Sequence, residues 1–512
     1  MTRSRRSPLS RPPGGPPTVR ARRLGFYTQD DAVVLMRADC HVCHSEGLAP
    51  RSQVLLEAHG RQVLATLYQL GEGLLQVDEV GLSEAAWAHL GVKAGDPIVV
   101  RHPPALASMS SVRRRIHSQR LDGPALQAII RDVAAARYTD VHLSAFLTAC
   151  SALPLDAAET IHLTRAMVEA GDRLSWDRPL IIDKHCVGGL PGNRTTPIIV
   201  AIVACHGLWM PKTSSRAITS PAGTADTMET MAPVDLDLVT MRRVVKQQGG
   251  CIAWGGAVRL SPADDILIRV ERVLDIDTEG QLIASVLSKK IAAGSTHVVI
   301  DIPVGATAKV RSDDAADALA GKLAATAAAF GVTIRAVLTD GAQPVGRGVG
   351  PALEARDVLA VLQNRIDAPD DLRRRACALA GAALELAGVA REGDGGGLAE
   401  ATLADGRAWA KFQAICEAQG GMRTPPIAAY SSPLAAERAG RVLQINNRTL
   451  SRLAKLAGAP DAKAAGVEMH VRLGDDVEAG QPLLTIHAEA RGELAYAQDY
   501  AAAHPDLFTV EA

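Results

Sequence analysis

Leu180-Ile181-Ile182-Asp183-Lys184-His185-Cys186-Val187-Gly188-Gly189-Leu190-Pro191-Gly192-Asn193-Arg194-Thr195-Thr196-Pro197 reads as a short buried strand, a glycine-rich loop and the start of a helix. Thr is available as the cap and Pro197 sits in the first turn, where its missing N–H costs nothing. The glycines let backbone N–H groups approach a ligand closely. The helix N-terminus adds partial positive charge and Lys184 a full one, so the loop suits phosphate or another oxyanion. No G-K-[ST] follows at Walker A spacing, and G-x-G-x-x-G does not fit. A purely structural glycine turn is the rival reading.

Working outward, a second polar run follows at 212–227, Lys212-Thr213-Ser214-Ser215-Arg216-Ala217-Ile218-Thr219-Ser220-Pro221-Ala222-Gly223-Thr224-Ala225-Asp226-Thr227. Hydroxyls, one Arg and a Gly before a helix again suit an anion or a sugar. Two such loops after consecutive strands should share one sheet edge and one site. Further strand-like runs at 297–303 and 333–339 alternate with Ala-rich helices, which argues for an α/β sheet. Before this region the chain is helical: Gly123-Pro124 opens a run with Leu126, Ile129, Ile130 and Val133 at one-sided helical spacing. Residues 27–104 alternate short β-type runs (32–36, 53–57, 62–68, 97–100) with turns, and the only helix signal there lies at 83–90. From about Gly440 the chain is β-rich again.

Composition sets limits on function. The chain has 512 residues, enough for roughly three domains. Lys and Arg number 55 against 56 for Asp and Glu, a balance that excludes a general nucleic-acid binder. Aromatics are 3% of the residues, which argues against a surface of stacked rings. Residues 1–26 hold seven Arg and no acid in a Pro/Gly-rich context, which reads as a disordered basic tail, with a transit peptide as the other reading. No run of about eighteen apolar residues exists, so no membrane span is expected. Eight cysteines in a chain of this length make no disulfide framework, and a cytoplasmic location is expected. Cys40-His41-Val42-Cys43-His44 fits C-x-x-C-H haem attachment or half a zinc site. Attachment would need export, and no second C-x-x-C completes a zinc site. No metal is expected, although Cys40, Cys43 and a distant ligand leave one open.

The loops resemble those of the thymidine/pyrimidine-nucleoside phosphorylases, in particular the longer branch that includes AMP phosphorylase. The K-H-S-x-G-G loop of that family is present as Lys184-His185-Cys186-Val187-Gly188-Gly189. P-K-x-S-x-R and G-T-x-D match Pro211-Lys212-Thr213-Ser214-Ser215-Arg216 and Gly223-Thr224-Ala225-Asp226. Ser285-Val286-Leu287-Ser288-Lys289-Lys290 and Thr339-Asp340-Gly341-Ala342-Gln343-Pro344-Val345-Gly346-Arg347 complete the match, over roughly residues 25–505. The resemblance implies an α/β plus α fold, a helical domain hinged to a mixed α/β domain, with extra β-rich N-terminal and C-terminal domains. The expected division is a basic tail at 1–26, a β-rich domain at 27–104, a helical domain at 105–175 and 263–293, a phosphate-binding α/β domain at 176–262 and 294–435, and a β-rich domain at 436–512.

The resemblance also implies a reaction, in which inorganic phosphate displaces a nucleobase from its sugar without a cofactor. Carried over by motif, Lys184, Cys186, Thr195, Thr196, Ser214 and Thr224 match phosphate positions. Gly189, Ser215, Arg216, Ala217, Ile218, Thr219 and Ser220 line the nucleoside or nucleotide side, Ser285 and Lys289 the base, and Lys309 is a further ligand candidate. His185 and Asp277 are alternative proton donors, with Lys184 the third catalytic candidate. Cys186 departs from the family's Ser, and a thiol is a weaker hydrogen-bond donor. With a near-neutral chain, the positive potential must be local, at Lys184, Arg216, Lys289 and helix N-termini. Thymidine and nucleoside monophosphate substrates stay open, as do a phosphoribosyltransferase and a catalytically degenerate binding protein. A homodimer or larger homo-oligomer is implied.

Overall fold

The computed structural model describes residues 18–28, 31–217, 220–276 and 278–511, in two compact units, one ending at Ala107 and one starting at Ser108. In the first, strands β1 (Thr18–Arg23), β2 (Val33–Arg37), β3 (Gln53–Ala58), β4 (Arg61–Leu70), β5 (Glu79–Leu82) and β6 (Pro97–Arg101) close into a barrel in the order β1-β5-β2-β4-β3-β6. Alternate residues point inward, as strand geometry requires: Val19 and Ala21, Val34 and Met36, Val54 and Leu56, Val80 and Leu82, Ile98 and Val100 are all buried.

β1 corrects the expectation that residues 1–26 form a tail. Its arginines occupy the outward positions and find acids there: Arg20 pairs with Asp78, Arg22 with Glu79 at 3.0 Å and Arg23 with Glu84 at 2.6 Å. Counting arginines hid the two small apolar residues between them. Residues 1–17 lie outside the described residues. A short helix that the sequence pattern did not suggest, His41–Glu46, takes up the C-x-x-C-H segment. Cys40 Sγ accepts the Cys43 N–H at 3.4 Å, and both cysteines belong to the barrel core while His41 and His44 are exposed.

The second unit begins with a helical layer. Helices Met109–Ile116, Gly123–Ala134, Asp140–Ala152 and Ala157–Glu169 are joined by Pro262–Leu274 and Glu279–Ala292, which return to pack on them from later in the chain. Asp122 caps the second helix by accepting the Ala125 N–H, and its Leu126, Ile129, Ile130 and Val133 are buried. The adjoining sheet is parallel: β7 (Ile182–Cys186) pairs with β10 (His297–Val304), which pairs with β11 (Thr333–Asp340). β8 (Met210–Ser214) pairs with β9 (Gly250–Trp254), and a bridge between Ile181 and Trp209 joins the two sets. Helix Thr196–Cys205 is apolar on every side because it is covered on every side, packing between the sheet and helices Asp370–Leu386 and Arg407–Gln419.

The chain ends in two small antiparallel sheets. β12 (Gly348–Val349), β15 (Gly466–Met469), β17 (Pro482–Ala488) and β13 (Tyr430–Ala435) form one; β14 (Gly440–Ile445), β16 (Asp476–Val477) and β18 (Phe508–Glu511) form the other. The expected boundary at 435/436 is therefore displaced. β13 pairs along its length with β17 and belongs to the C-terminal sheet, and β12 joins that sheet from within the preceding domain. Among the described residues no helix is long and apolar enough to cross a membrane.

The assignment of β1 is open to a direct check. Val19→Ala should lower the unfolding free energy of the chain by about 2 kcal/mol, the size expected for methyl groups removed from a closed core. An unchanged denaturation midpoint would remove β1 from the barrel.

Candidate active site

The strand at the centre of the site is longer than its apolar pattern suggests. β7 runs to Cys186, so Lys184, His185 and Cys186 are strand residues and their side chains alternate between faces. Asp183 and His185 share one face, Lys184 and Cys186 the other.

On the first face Asp183 is fully buried. Its carboxylate lies 3.0 Å from Lys290 Nζ and 3.7 Å from Lys212 Nζ, and it accepts the Ser295 hydroxyl at 3.2 Å. Lys290 comes from helix Glu279–Ala292 of the helical layer and Lys212 from β8. Lys212 is itself buried and donates to the Thr213 carbonyl. Burial and the neighbouring Lys290 push the Lys212 ammonium well below its ordinary range, although Asp183 opposes the shift. His185 is depressed well below the usual imidazole range by burial and then by Lys290, Lys212, Lys289 and Lys184. It is therefore neutral near pH 7, able to donate one N–H but not to act as an imidazolium acid.

On the second face Lys184, 1% exposed, donates to Thr195 Oγ1 at 3.0 Å and lies 3.4 Å from Asp301. Asp301, on the neighbouring β10, accepts from Thr339 at 2.7 Å and from Asn193 at 2.9 Å. Burial alone would raise its carboxyl, yet Lys184, Thr339, Arg375 and Asn193 together hold it below the ordinary value. Cys186 Sγ accepts from the Gly188 N–H at 3.4 Å and from Asn193 Nδ2 at 3.3 Å. Burial, then Asp301, pushes its thiol up to about 12, so it stays protonated.

The loops close over this strand end. Gly189, at φ 81°, lies so tightly against Lys309 that a Cβ would stand 2.7 Å from its backbone nitrogen, and Lys309 is itself exposed. Gly223 packs its α-carbon on the Ser215–Ala217 backbone, where a Cβ would meet the Ser215 carbonyl at 2.5 Å. Thr195 and Thr196 are buried at the start of helix Thr196–Cys205. Ser214 Oγ is buried with no hydrogen-bond partner among the described residues, a hydroxyl that a bound oxyanion would satisfy. Thr224 Oγ1 accepts from Arg194 at 2.7 Å. Ser285 and Lys289 lie one helical turn apart, and Lys289 is ion-paired with the buried Asp264.

Most of the sequence candidates therefore lie on β7 or on the segments next to it: Lys184, His185, Cys186, Gly189, Thr195, Thr196, Ser214, Thr224, Lys289 and Lys309, with Ser285 placed by its helix alone. Arg216 lies in the same loop system, but its charge is not open. It pairs with Glu229 at 2.8 Å, Asp226 at 3.2 Å and Asp235 at 3.6 Å, and stacks 4.8 Å over the Trp254 ring. Lys463 adds a second cation to Glu229 at 2.9 Å. Ser215 and Ala217 frame the loop through backbone bonds, Ala225 N–H to Ser215 and Ala217 N–H to Asp226, and Ser220 donates to Ala222. Ile218, Thr219 and Asp277 lie outside the described residues. The residues that motif reading passed over are the acids, Asp183, Asp264, Asp301 and Glu354. Their signal was partly available: Asp301 is a lone carboxylate inside the apolar run 298–304, and Asp183 directly follows the apolar run 180–182.

If Cys186 faces the oxyanion, Cys186→Ser supplies a stronger donor and should tighten inorganic phosphate binding about fivefold in calorimetry, roughly the worth of one improved hydrogen bond. An unchanged or weaker dissociation constant would remove the side chain from the anion site.

Comparisons with known proteins agree with this architecture. Residues 110–171 match the helical bundle domain of a glycosyl transferase family, residues 178–409 its a/b domain, and residues 442–504 a pyrimidine nucleoside phosphorylase C-terminal domain. The chain is 69% identical to a Chelativorans protein named "Putative thymidine phosphorylase", over 98% of this chain and 99% of that one. A Tolumonas auensis protein of the same name is 64% identical over 97% and 98%. Among solved structures, anthranilate phosphoribosyltransferase from Thermus thermophilus superposes with a TM-score of 0.52 at 20% identity, covering 60% of this chain and 99% of that one, a likeness of fold. With its strand–glycine loop–helix, its helical layer and near-full-length relatives at this identity, the chain belongs to the thymidine/pyrimidine-nucleoside phosphorylase family.

Proposed function

We propose that the chain is a pentosyltransferase that cleaves thymidine, or a related pyrimidine nucleoside, with inorganic phosphate, giving the free base and 2-deoxy-D-ribose 1-phosphate. The names of its relatives and its matched C-terminal domain support the substrate class. The observation that carries the reaction is the buried cation cluster beneath the glycine loop. Among the described residues, Lys184, Lys212 and Lys290 are ion-paired with two carboxylates, Asp183 and Asp301. Cations outnumber their carboxylate partners in this cluster, so an arriving oxyanion would supply a missing counter-charge.

In this reading Lys184, Ser214, Thr195, Thr196, Thr224 and the loop N–H groups hold phosphate. One of its oxygens bonds to the anomeric carbon as the carbon–nitrogen bond breaks and its electron pair enters the pyrimidine. His185 as a neutral donor, with Ser285 and Lys289, stabilises the departing base. The proton that the base takes up balances the one that the new sugar phosphate loses. Positioning and fixed charge supply the rate, and no cofactor is required. Asp277 is the alternative donor. The neutralised state of Arg216 favours an uncharged nucleoside over a nucleotide, whose 5′-phosphate would find that guanidinium already held by three acids.

The test is base release from thymidine, uridine, AMP and CMP with and without phosphate. Phosphate-dependent thymine release is expected. Preferred AMP turnover would move the reading to the nucleotide branch, a requirement for pyrophosphate and Mg²⁺ would indicate a phosphoribosyl transfer, and no turnover would leave a binding protein. Lys184→Ala should cost at least about 10²-fold in kcat/KM, the scale of a lost electrostatic contact to the reacting group, and retained activity would sink the loop assignment.

His185 provides a pH test. With its pKa held well below the ordinary imidazole value by burial and then by the lysines, His185 should keep one neutral form from about pH 6.5 to 8. The kcat/KM profiles of the wild type and His185→Asn should run parallel over that range. An inflection near 6.5 present only in the wild type would show that the imidazolium participates.

A further inference from the structure

Arg194 sits in the glycine loop where its charge would suggest direct contact with phosphate. Its surroundings assign it otherwise. The side chain is largely buried, and all three guanidinium nitrogens donate inward: Nε to Glu354 Oε2 at 2.6 Å, Nη1 to Thr224 Oγ1 at 2.7 Å, and Nη2 to the Ala222 carbonyl at 2.8 Å. Glu354 is 1% exposed and is fixed in turn by the Gly350 N–H at 3.3 Å and the Thr227 hydroxyl at 3.2 Å. The guanidinium charge is thus compensated inside the protein. One side chain joins the glycine loop, the Ala222–Thr224 turn and helix Pro351–Leu362.

The bond to Thr224 has a chemical consequence. A hydroxyl carries one proton and two lone pairs. Arginine can only donate, so it takes up a lone pair of Thr224 Oγ1, which leaves the hydroxyl proton to be given elsewhere. We propose that Arg194 and Glu354 form a positioning pair that turns the Thr224 hydroxyl into an obligate donor toward the attacking phosphate, without either residue touching it. This inference rests on the phosphorolysis reading above, in which Thr224 contacts phosphate. It accounts for an arginine in an anion loop that is itself neutralised, and for a buried glutamate at the N-terminal end of a helix remote from the chemistry.

The test uses the full chain and the KM values for inorganic phosphate and for thymidine, measured separately. Wild-type thymidine phosphorolysis is the gate: if it is absent, the functional reading fails and not this inference. Given turnover, Arg194→Met and Thr224→Ala should each raise the KM for phosphate about tenfold, the scale of one hydrogen bond to a charged acceptor, with the KM for thymidine within about twofold. The double variant should be no worse than Thr224→Ala alone, because both changes remove the same bond. Arg194→Lys, which can hold Glu354 or Thr224 but not all three partners, should recover part of the loss. An unchanged phosphate KM in Arg194→Met, multiplying effects in the double variant, or equal rises in both KM values would overturn the proposal. If Arg194→Met does not fold, Glu354→Gln decides by the same split: a rise for phosphate alone supports the pair, and any other pattern overturns it.

Discussion

The buried carboxylate of Asp183 is the group on which the rest of the site depends. It stands at 0% exposure between Lys290 of the helical layer and Lys212 of the sheet. Desolvating three charges is tolerable only while each is paired, and removing one partner of such a set is far more disruptive than never having had it. The same contact is mechanical. Lys290 belongs to helix Glu279–Ala292, which also carries Ser285 and Lys289, so Asp183 fixes that helix against the strand that carries Lys184 and His185. Electrostatic pairing and placement of the helical layer over the sheet edge are one interaction.

The alternation of a β-strand then divides the labour. Along β7, Asp183 and His185 face the lysines and the helical layer, while Lys184 and Cys186 face Thr195, Asn193 and Asp301. A single extended segment thus presents a neutral donor on one side and a cation with a thiol on the other, separated by the thickness of the strand. A one-residue slip would exchange the two faces. The register with β10, which sets Cys186 opposite Asp301, is therefore as functional as the side chains themselves.

Much of this was legible in the sequence, and what was not has physical causes. The strand–loop–helix from Ile182 to Cys205 followed from an apolar run, three glycines and a Pro in a first turn. The helix Gly123–Ala134 followed from its spacing. β1 escaped because its composition is that of a tail: Val19 and Ala21 supply little hydrophobic signal, and the acids that neutralise its arginines lie some sixty residues away. β8 was only half visible, since Lys212, Thr213 and Ser214 read as a polar loop although all are buried. The openness of Arg216 could not be judged from motif spacing, because Glu229, Asp235 and Lys463 meet it only in the folded chain. Motif reading finds the groups that touch ligand more readily than the buried acids that hold them, and Asp264, Asp301 and Glu354 belong to the second kind.

The near-zero net charge of the chain acquires a different meaning in this light. A surface field of one sign would attract phosphate and every other anion alike, and salt would screen it within about 10 Å. Charge buried under a glycine loop is screened far less and acts only on a group small enough to enter. Burial, and after it the neighbouring lysines, drives both Lys212 and His185 toward their neutral forms. In the phosphorolysis reading the anion would lie on the Lys184 face of β7 and the neutral His185 on the other, so strand alternation keeps the two apart.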